Sequence, residues 1–370
     1  MSIKILLAGG GSGGPVAPLL AVAEALKKLQ PKAEFLLVGS KNGPEEQMAK
    51  NAGIEFRAIP AGKWRRYFSL KNLAAPFFTI AGIIAAYRIL KKFKPECVFG
   101  AGSYVQVPII WTAFFLRIPC VIHQQDIQIS FANRLCEPFV KKITVCFEKS
   151  ITDFTSNFNF FYSKSKSKII QTGNPFREEL KHKTRTQALK NLNLRSDIPV
   201  LLVLGGGTGS DFINKLVVNC LPELSRTVQI IHSWGVRNPK IIAHDNYCPF
   251  EFIADMASAY AASDIVLSRA GLSTLTELSN LAKISIIIAM PGTHQEYNAS
   301  LLHELNAAIC FDQKDVSPKG IVAVIRKLLF KSDLQKDLAK NISRIMPKNA
   351  GEKIAKIIID VIEKYGHKPR

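Results

Sequence analysis

The sequence predicts an α/β protein made of two Rossmann-like, doubly wound parallel-sheet halves, and three observations lead there. First, Ile3-Lys-Ile-Leu-Leu7 runs into Gly9-Gly-Gly-Ser-Gly-Gly14 and then a helical pattern; about 200 residues later Pro199-Val-Leu-Leu-Val-Leu204 runs into Gly205-Gly-Gly-Thr-Gly209 and another. A strand, a glycine turn and a helix met twice at that spacing mark an internal repeat. Second, short apolar runs alternate with helix-length segments, the order expected of a parallel sheet with right-handed crossovers. Third, 370 residues of which 47% are apolar suffice for two full cores and speak against wholesale disorder. The expected division is residues 1–170 and 171–346, with a final helix at about 347–370 packing back on the first half.

In chain order, the strand at Ile3–Ala8 enters the glycine turn, and Pro18–Leu29 follows as a helix with Leu19, Val22, Ala23 and Leu26 on one face. Gly9, Gly11 and Gly14 satisfy G-x-G-x-x-G, but the next strand, Glu34–Val38, ends in Gly39-Ser40 without the carboxylate a dinucleotide ribose needs. The turn therefore serves close backbone approach to some other ligand. Leu73–Ala86 is an apolar run between the basic clusters Lys63-Trp-Arg-Arg-Tyr-Phe68 and Arg88-Ile-Leu-Lys-Lys-Phe-Lys94. That pattern suits a surface resting on an anionic membrane; a buried core helix with a solvated basic end is the alternative. Cys97–Phe99 is a strand leading into Gly100-Ala-Gly-Ser-Tyr-Val105, and Pro119–Asp126 is a strand delivering His123 and Asp126 to the same sheet edge. Ser150–Lys168, with alternating Ser and Lys, reads as a linker. Further strands are expected at Val228–Ile231, Phe250–Ile253, Asp264–Leu267 and Ile284–Ala289, and a helix at Lys353–Tyr365.

Bulk charge narrows the partners. A formal charge of +20 favours an anionic partner, whether nucleic acid, lipid headgroups or a phosphorylated substrate. There is no zinc-finger spacing and no aromatic RNA-binding strand, so nucleic acid is set aside. The apolar run beginning at Leu73 is about 14 residues and carries Pro76, whereas a span needs about 20. The seven cysteines are scattered without CxxC spacing, against a disulfide framework or a zinc site, and the N-terminus enters a strand at once rather than a signal peptide. A soluble or peripheral protein of a reducing compartment is expected, with no metal.

The most informative window is Ser268-Arg-Ala-Gly-Leu-Ser-Thr-Leu-Thr-Glu277. A strand ending at Leu267 turns through Gly271 into a helix with Leu272, Leu275, Leu278 and Leu281 at helical spacing. The first N–H groups of such a helix lack intrahelical partners, and with the helix dipole they form a site for a phosphate. Glu277, about one and a half turns on, could accept hydrogen bonds from sugar hydroxyls. The plainer alternative is an ordinary turn N-capped by Ser273 or Thr274.

Eight windows in order carry a resemblance that covers nearly the whole chain: Ala8–Gly14 with Pro18, Gly100–Val105, His123-Gln-Gln-Asp126, Thr172-Gly-Asn-Pro-Phe-Arg177, Gly205–Gly209, Phe252–Met256, Arg269–Glu277 and His294–Ala299. With these the sequence resembles the MurG family of glycosyltransferases, of GT-B architecture, in which two Rossmann-like domains face a central cleft. The resemblance implies inverting, metal-independent transfer of N-acetylglucosamine from UDP-N-acetylglucosamine to an undecaprenyl-diphosphate-linked N-acetylmuramyl-pentapeptide, lipid I to lipid II. It implies a peripheral enzyme at the cytoplasmic face of the cell membrane, with the sugar nucleotide as substrate and no cofactor. It implies that Leu272, Ser273, Thr274, Leu275 and Thr276 hold the donor diphosphate and that Glu277 contacts the ribose. It further implies that the backbone of Ile253 reads uracil, that Arg177 contacts the nucleotide and that Gln295 binds the sugar hydroxyls. Ser12, Gly13, Gly14, Asp126, Gly207 and Arg269 complete the implied donor site; Gly11, Gly13, Gly14, Gly102, Ser103 and Tyr104 make the acceptor site.

Four positions depart from that family's pattern. Pro15 stands where its first glycine loop ends in His, a candidate base; Gln124 and Asp126 replace its Glu and Asn; and Gly207 replaces a Ser. Asp126 or His123 is accordingly the candidate base. Two rival functions remain at this point: a soluble sugar-nucleotide 2-epimerase of the same fold, and a non-catalytic relative that binds nucleotide or lipid.

Overall fold

The computed structural model describes residues 3–11, 13–41, 43, 45–62, 75–156, 166–206, 209–235 and 244–366. The chain divides into two compact units, Met1–Phe176 with Pro347–Arg370, and Arg177–Met346.

Unit 1 is built on seven strands among the described residues: β1 (Lys4–Ala8), β2 (Glu34–Gly39), β3 (Glu55–Ala58), β4 (Cys97–Gly100), β5 (Cys120–Gln124), β6 (Lys142–Val145) and β7 (Ile169–Gln171). Their order is 3-2-1-4-5-6-7, and every neighbouring pair is parallel. Parallel strands need crossovers, supplied here by α1 (Gly13–Leu29), α2 (Glu45–Asn51), α3 (Ala75–Phe93), α4 (Gln106–Phe115), α5 (Phe131–Cys136) and α6 (Glu148–Ser156). The two-residue period of β1 sends Ile5 and Leu7 into one core with Leu19, Leu26 and Phe99, and Leu6 and Ala8 into the other with Val98, Ile110 and Ile122. Burial on both faces is why these strands read as unbroken apolar runs.

Unit 2 repeats the plan with β8 (Val200–Leu204), β9 (Gln229–Ser233), β10 (Tyr247–Phe250), β11 (Ile265–Ser268), β12 (Ser285–Ile288) and β13 (Ile309–Phe311), in the order 10-9-8-11-12-13 and again parallel. Its helices are α7 (Arg185–Asn191), α8 (Asp211–Leu224), α9 (Met256–Ala262), α10 (Leu272–Leu281), α11 (Gln295–Glu304), α12 (Pro318–Phe330) and α13 (Ser332–Ile342). α14 (Ala350–Tyr365) then belongs to unit 1, where Ile354, Ile358 and Val361 join the core beside α1.

Several boundaries differ from the sequence reading. α1 begins at Gly13 rather than Pro18, because Pro15 lies in its first turn, where a missing N–H costs nothing. β10 ends at Phe250, where a strand from Phe250 to Ile253 was expected; it is an edge strand, which tolerates Pro249. The expected linker begins as helix α6, with Phe154 buried in the core, and its residues 157–165 lie outside the described set. The basic cluster Lys63–Phe68 also lies outside it. Among the described residues no helix is long and apolar enough to cross a membrane.

Candidate active site

In an open parallel sheet a ligand binds beyond the carboxyl ends of the strands, where the strand order reverses. In unit 1 that point lies between β1 and β4; in unit 2 it lies between β8 and β11. The segments leaving these strands begin at Gly9, Ala101, Gly205 and Arg269, so the glycine turns start at the edge where such sheets bind ligands.

In unit 1 the two loops are tied to each other. Ser103 Oγ donates to Gly10 O at 2.8 Å and accepts from Val105 N at 3.2 Å. Gly11 has φ +84, and a Cβ there would sit 2.7 Å from the Tyr104 ring, so only glycine fits beneath that tyrosine. Gly11 N and Ser40 N each donate to Glu45 Oε1 at 2.8 Å, and Ser40 Oγ donates to it at 2.5 Å. Burial works to raise the Glu45 carboxyl, but the hydrogen bonds from Ser40 and Gly11 outweigh it and hold it below its ordinary value. Nothing in the sequence singled out Glu45; its place at the start of α2 is an unremarkable position for an acid. Ser12 lies outside the described residues, and Gly13, Gly14 and Pro15 form the first turn of α1.

A chain of buried amides joins the second loop to the one carrying Asp126. Gln106 Oε1 accepts from Gly102 N at 2.9 Å, and Gln106 Nε2 donates to Asn133 Oδ1 at 2.6 Å. Asn133 Nδ2 donates to Gln124 Oε1 at 2.7 Å, and Gln124 Nε2 donates to the carbonyls of Asp126 and Gln128 at 2.8 and 2.9 Å. Gln125 Nε2 reaches across to Ala101 O at 2.9 Å. Asp126 itself is half-buried on the resulting loop. His123 is placed differently. It is wholly buried, with Nε2 donating to Asn174 Oδ1 at 3.0 Å and Nδ1 left to accept from Thr144 Oγ1 at 2.9 Å. Burial brings its pKa down to about 4 despite these bonds. The sequence reading of His123 as a base facing the ligand thus meets a neutral ring sealed inside the sheet.

In unit 2, α10 opens at Gly271 with no side-chain cap, and Leu275 N already turns back to Gly271 O at 3.0 Å. Ser273 and Thr274 lie in the first turn and not at the N-cap, so neither hydroxyl caps the helix as the plainer reading had it. The leading N–H groups of α10 are therefore not taken by a capping hydroxyl, an arrangement suited to an anion. Arg269 lies just before them. Its five N–H groups go to Ser210 Oγ, Ile288 O, Ala289 O and Gln313 Oε1, at 2.7 to 3.2 Å. Every acceptor is neutral, so the guanidinium charge stands uncancelled at the sheet edge while its geometry is fixed. Asn298 Nδ2 donates to Ala270 O at 2.9 Å and pins the same turn from α11.

The remaining positions follow. Leu272 and Leu275 bury their side chains, and Thr276 spends its hydroxyl on Leu272 O at 2.8 Å, so only backbone is offered by these three. Glu277 accepts from Arg177 Nη2 at 2.9 Å and from Tyr260 Oη at 2.7 Å. Ile253 is buried after β10, beside an exposed Phe252. Gln295 is the first residue of α11, half-buried, with Oε1 accepting from Met290 N at 3.2 Å. Gly207 lies outside the described residues; its neighbour Gly209, at φ +80, would put a Cβ 1.9 Å from Trp234 O.

Comparison with known proteins fits this geometry. Residues 5–145 match the glycosyltransferase family 28 N-terminal domain and residues 200–357 its C-terminal domain. A protein of Clostridium kluyveri named UDP-N-acetylglucosamine--N-acetylmuramyl-(pentapeptide) pyrophosphoryl-undecaprenol N-acetylglucosamine transferase is 34% identical over 98% of this chain and 99% of its own. The chain belongs to this MurG family. Proteins of the same name from Borrelia turicatae and Legionella pneumophila are each 32% identical, covering 96% and 97% of this chain and of their own. Among solved structures, Acinetobacter baumannii MurG superposes with a TM-score of 0.72 at 24% identity, covering 97% of this chain and 99% of that one. The UDP-GlcNAc 2-epimerase of Neisseria meningitidis gives 0.65 at 15% identity, covering 98% and 100%, a likeness of fold alone. Membership of the MurG family makes the chain a glycosyltransferase with the GT-B fold, and it favours transfer over epimerisation.

Proposed function

We propose that this MurG-family chain transfers N-acetylglucosamine from UDP-N-acetylglucosamine to undecaprenyl-diphosphate-linked N-acetylmuramyl-pentapeptide, the lipid I to lipid II step of peptidoglycan synthesis. The observation that carries the reading is the mouth of α10, an uncapped helix start at a topological switch point with the uncancelled charge of Arg269 behind it. That arrangement suits a diphosphate.

Unit 2 holds the donor in this reading. Amides of Leu272 to Thr274 grip the pyrophosphate, Arg177 and Arg269 add positive charge, and Glu277 takes the ribose. Ile253 offers backbone to uracil, and Gln295 binds hydroxyls of the sugar. Unit 1 presents the acceptor on Gly11, on Gly13 and Gly14 at the start of α1, and on the loop Gly102–Tyr104. Asp126 takes the proton from the attacking hydroxyl, whose oxygen forms the new bond to the anomeric carbon from the face opposite UDP. The old carbon–oxygen bond breaks with its electron pair going to the diphosphate. The helix amides and the fixed guanidinium meet that growing charge, the work a divalent cation does in other transferases.

The lipid acceptor requires a membrane, and α3 and α4 supply a surface for one at the cytoplasmic face. Phe77 and Phe115 are 75% and 79% exposed, joined by exposed Phe78, Ile80, Ile84, Tyr87 and Phe114. Ile83, Ile84, Tyr87, Phe115 and Leu116 line a groove of about 410 Å³, and exposed Arg88, Lys91, Lys92 and Arg117 border the face. Apolar side chains with a basic border suit peripheral binding to anionic lipid.

The deciding experiment incubates the full chain with labelled UDP-N-acetylglucosamine and the lipid-linked acceptor in vesicles. Labelled lipid product is expected, and Asp126→Asn should lower turnover about a hundredfold with donor affinity retained. Saturable UDP binding without any product would instead make the chain a non-catalytic relative.

A further inference from the structure

Two donors hold the Glu277 carboxylate, and they are unequal. Arg177 Nη2 donates to Oε1 at 2.9 Å from a long side chain that is 42% exposed and also reaches Glu179 at 3.5 Å. Tyr260 Oη donates to Oε2 at 2.7 Å from inside the core of unit 2, where α9 buries the whole ring. The arginine is a partner that can move; the tyrosine cannot. Withdrawing Tyr260 from Glu277 would strand a buried hydroxyl beside a carboxylate that is only 15% exposed, so the pair is held together.

The count of acceptor sites is informative. A carboxylate has about four lone-pair sites. Tyr260 and Arg177 take one on each oxygen, which leaves one on each oxygen, matching the two hydroxyls of a vicinal diol. A carboxylate free to rotate would offer that pair in many orientations; one pinned at Oε2 offers it in one. Burial, with the neighbouring carboxylate adding to it, pushes the Tyr260 phenol well above its ordinary value, so the hydroxyl stays a donor across the physiological range.

We propose that Tyr260 is the positioning residue of the donor site, fixing the Glu277 carboxylate so that its free lone pairs meet the ribose diol of the nucleotide. This rests on the reading of Glu277 as the ribose contact. Nothing in the sequence pointed to Tyr260, which sits 17 residues before Glu277 among small residues that read as helix filler.

The test is calorimetric titration of the full chain with UDP and with 2′,3′-dideoxyuridine diphosphate, for wild type, Tyr260→Phe, Glu277→Gln and the double variant. Wild type should prefer UDP. Tyr260→Phe, which keeps the ring and removes only the hydroxyl, should weaken UDP about fivefold and leave the dideoxy compound unchanged. The double variant should bind UDP no more weakly than Glu277→Gln alone. A Tyr260→Phe protein that loses affinity for both nucleotides alike would show a merely structural tyrosine and overturn the proposal. Retention of the full preference for UDP would overturn it as well. If Glu277→Gln itself keeps the wild-type preference, the ribose reading of Glu277 fails first and takes the proposal with it.

Discussion

At the scale of single residues, the most consequential finding concerns the amides behind Asp126. Asn133 is wholly buried and serves three partners at once: it accepts from Gln106 Nε2 and donates to Gln124 Oε1 and His123 O. Replacing it with Ala strands the Gln106 amide donor and the His123 carbonyl, and leaves Gln124 Oε1 with only the Ser130 N–H. Asn133→Ala should lower unfolding stability by about 3 kcal/mol and raise the KM for the lipid acceptor, because the loops of Gly102 and Asp126 lose their common anchor. Urea unfolding and acceptor titrations check both parts; an unchanged unfolding midpoint would mean the amides are idle. The same network explains the departure at 124. Gln124 donates to two carbonyls while accepting from Asn133, and an ionised Glu has no hydrogen to give them. None of these partnerships is visible in the sequence, because Gln106, Gln124 and Asn133 are as much as 27 positions apart and polar residues of their kind usually mark surface. By contrast, the glycines at 11 and 209 announced themselves, since a backbone with φ near +80 that something else closely approaches leaves no other residue type.

At the scale of elements, α3 bears on the two readings of Leu73–Ala86 and speaks against a wholly buried helix. Ala86 and Leu90 point into the core, while Phe77, Ile80, Ile84 and Tyr87 point out, so this is a helix with two apolar faces and only one of them covered. Periodicity could not distinguish a buried helix from one that packs one apolar face on a core and turns another outward, since both are apolar on more than one side. Ile84→Asp with Phe115→Asp should abolish co-sedimentation with anionic vesicles at low salt and leave UDP affinity within twofold of wild type. Unaltered co-sedimentation would move the membrane surface elsewhere. α10 was legible for the opposite reason: its leucines at 272, 275, 278 and 281 are buried on one face, apart from a partly covered Leu281, and the strand and glycine before it fix where it starts. Short elements such as β7 and β13, three residues each, carry too little pattern to be found without their neighbours.

At the scale of the whole molecule, each unit seals one histidine in its interior, His123 in unit 1 and His232 in unit 2. His232 lies between Asn214 Oδ1 and Tyr247 Oη and stacks on Trp234. Burial lowers the two pKa values from 6.5 to about 4 and about 3. The unfolded chain therefore binds protons at these sites from pH 6.5 downward while the native protein does not, so stability is complete above 6.5 and falls as the solution is acidified. Each histidine should contribute a loss of about 1.4 kcal/mol per pH unit in that window. His123→Gln and His232→Gln should each flatten the pH dependence of the urea midpoint between about 4 and 6.5; an unaltered slope would refute the assignment.

The duplicated architecture was readable from the two glycine turns, and the return of the final helix to unit 1 was expected too, although the side chains that seat α14 are ones any amphipathic helix could show. Its consequence concerns biosynthesis. A ribosome makes the sheet of the first unit early, then all of the second, and only afterwards the helix that carries Ile354 and Ile358. Until that helix emerges, the groove beside α1 stays greasy and open to chaperones. The unit begun first is the one completed last.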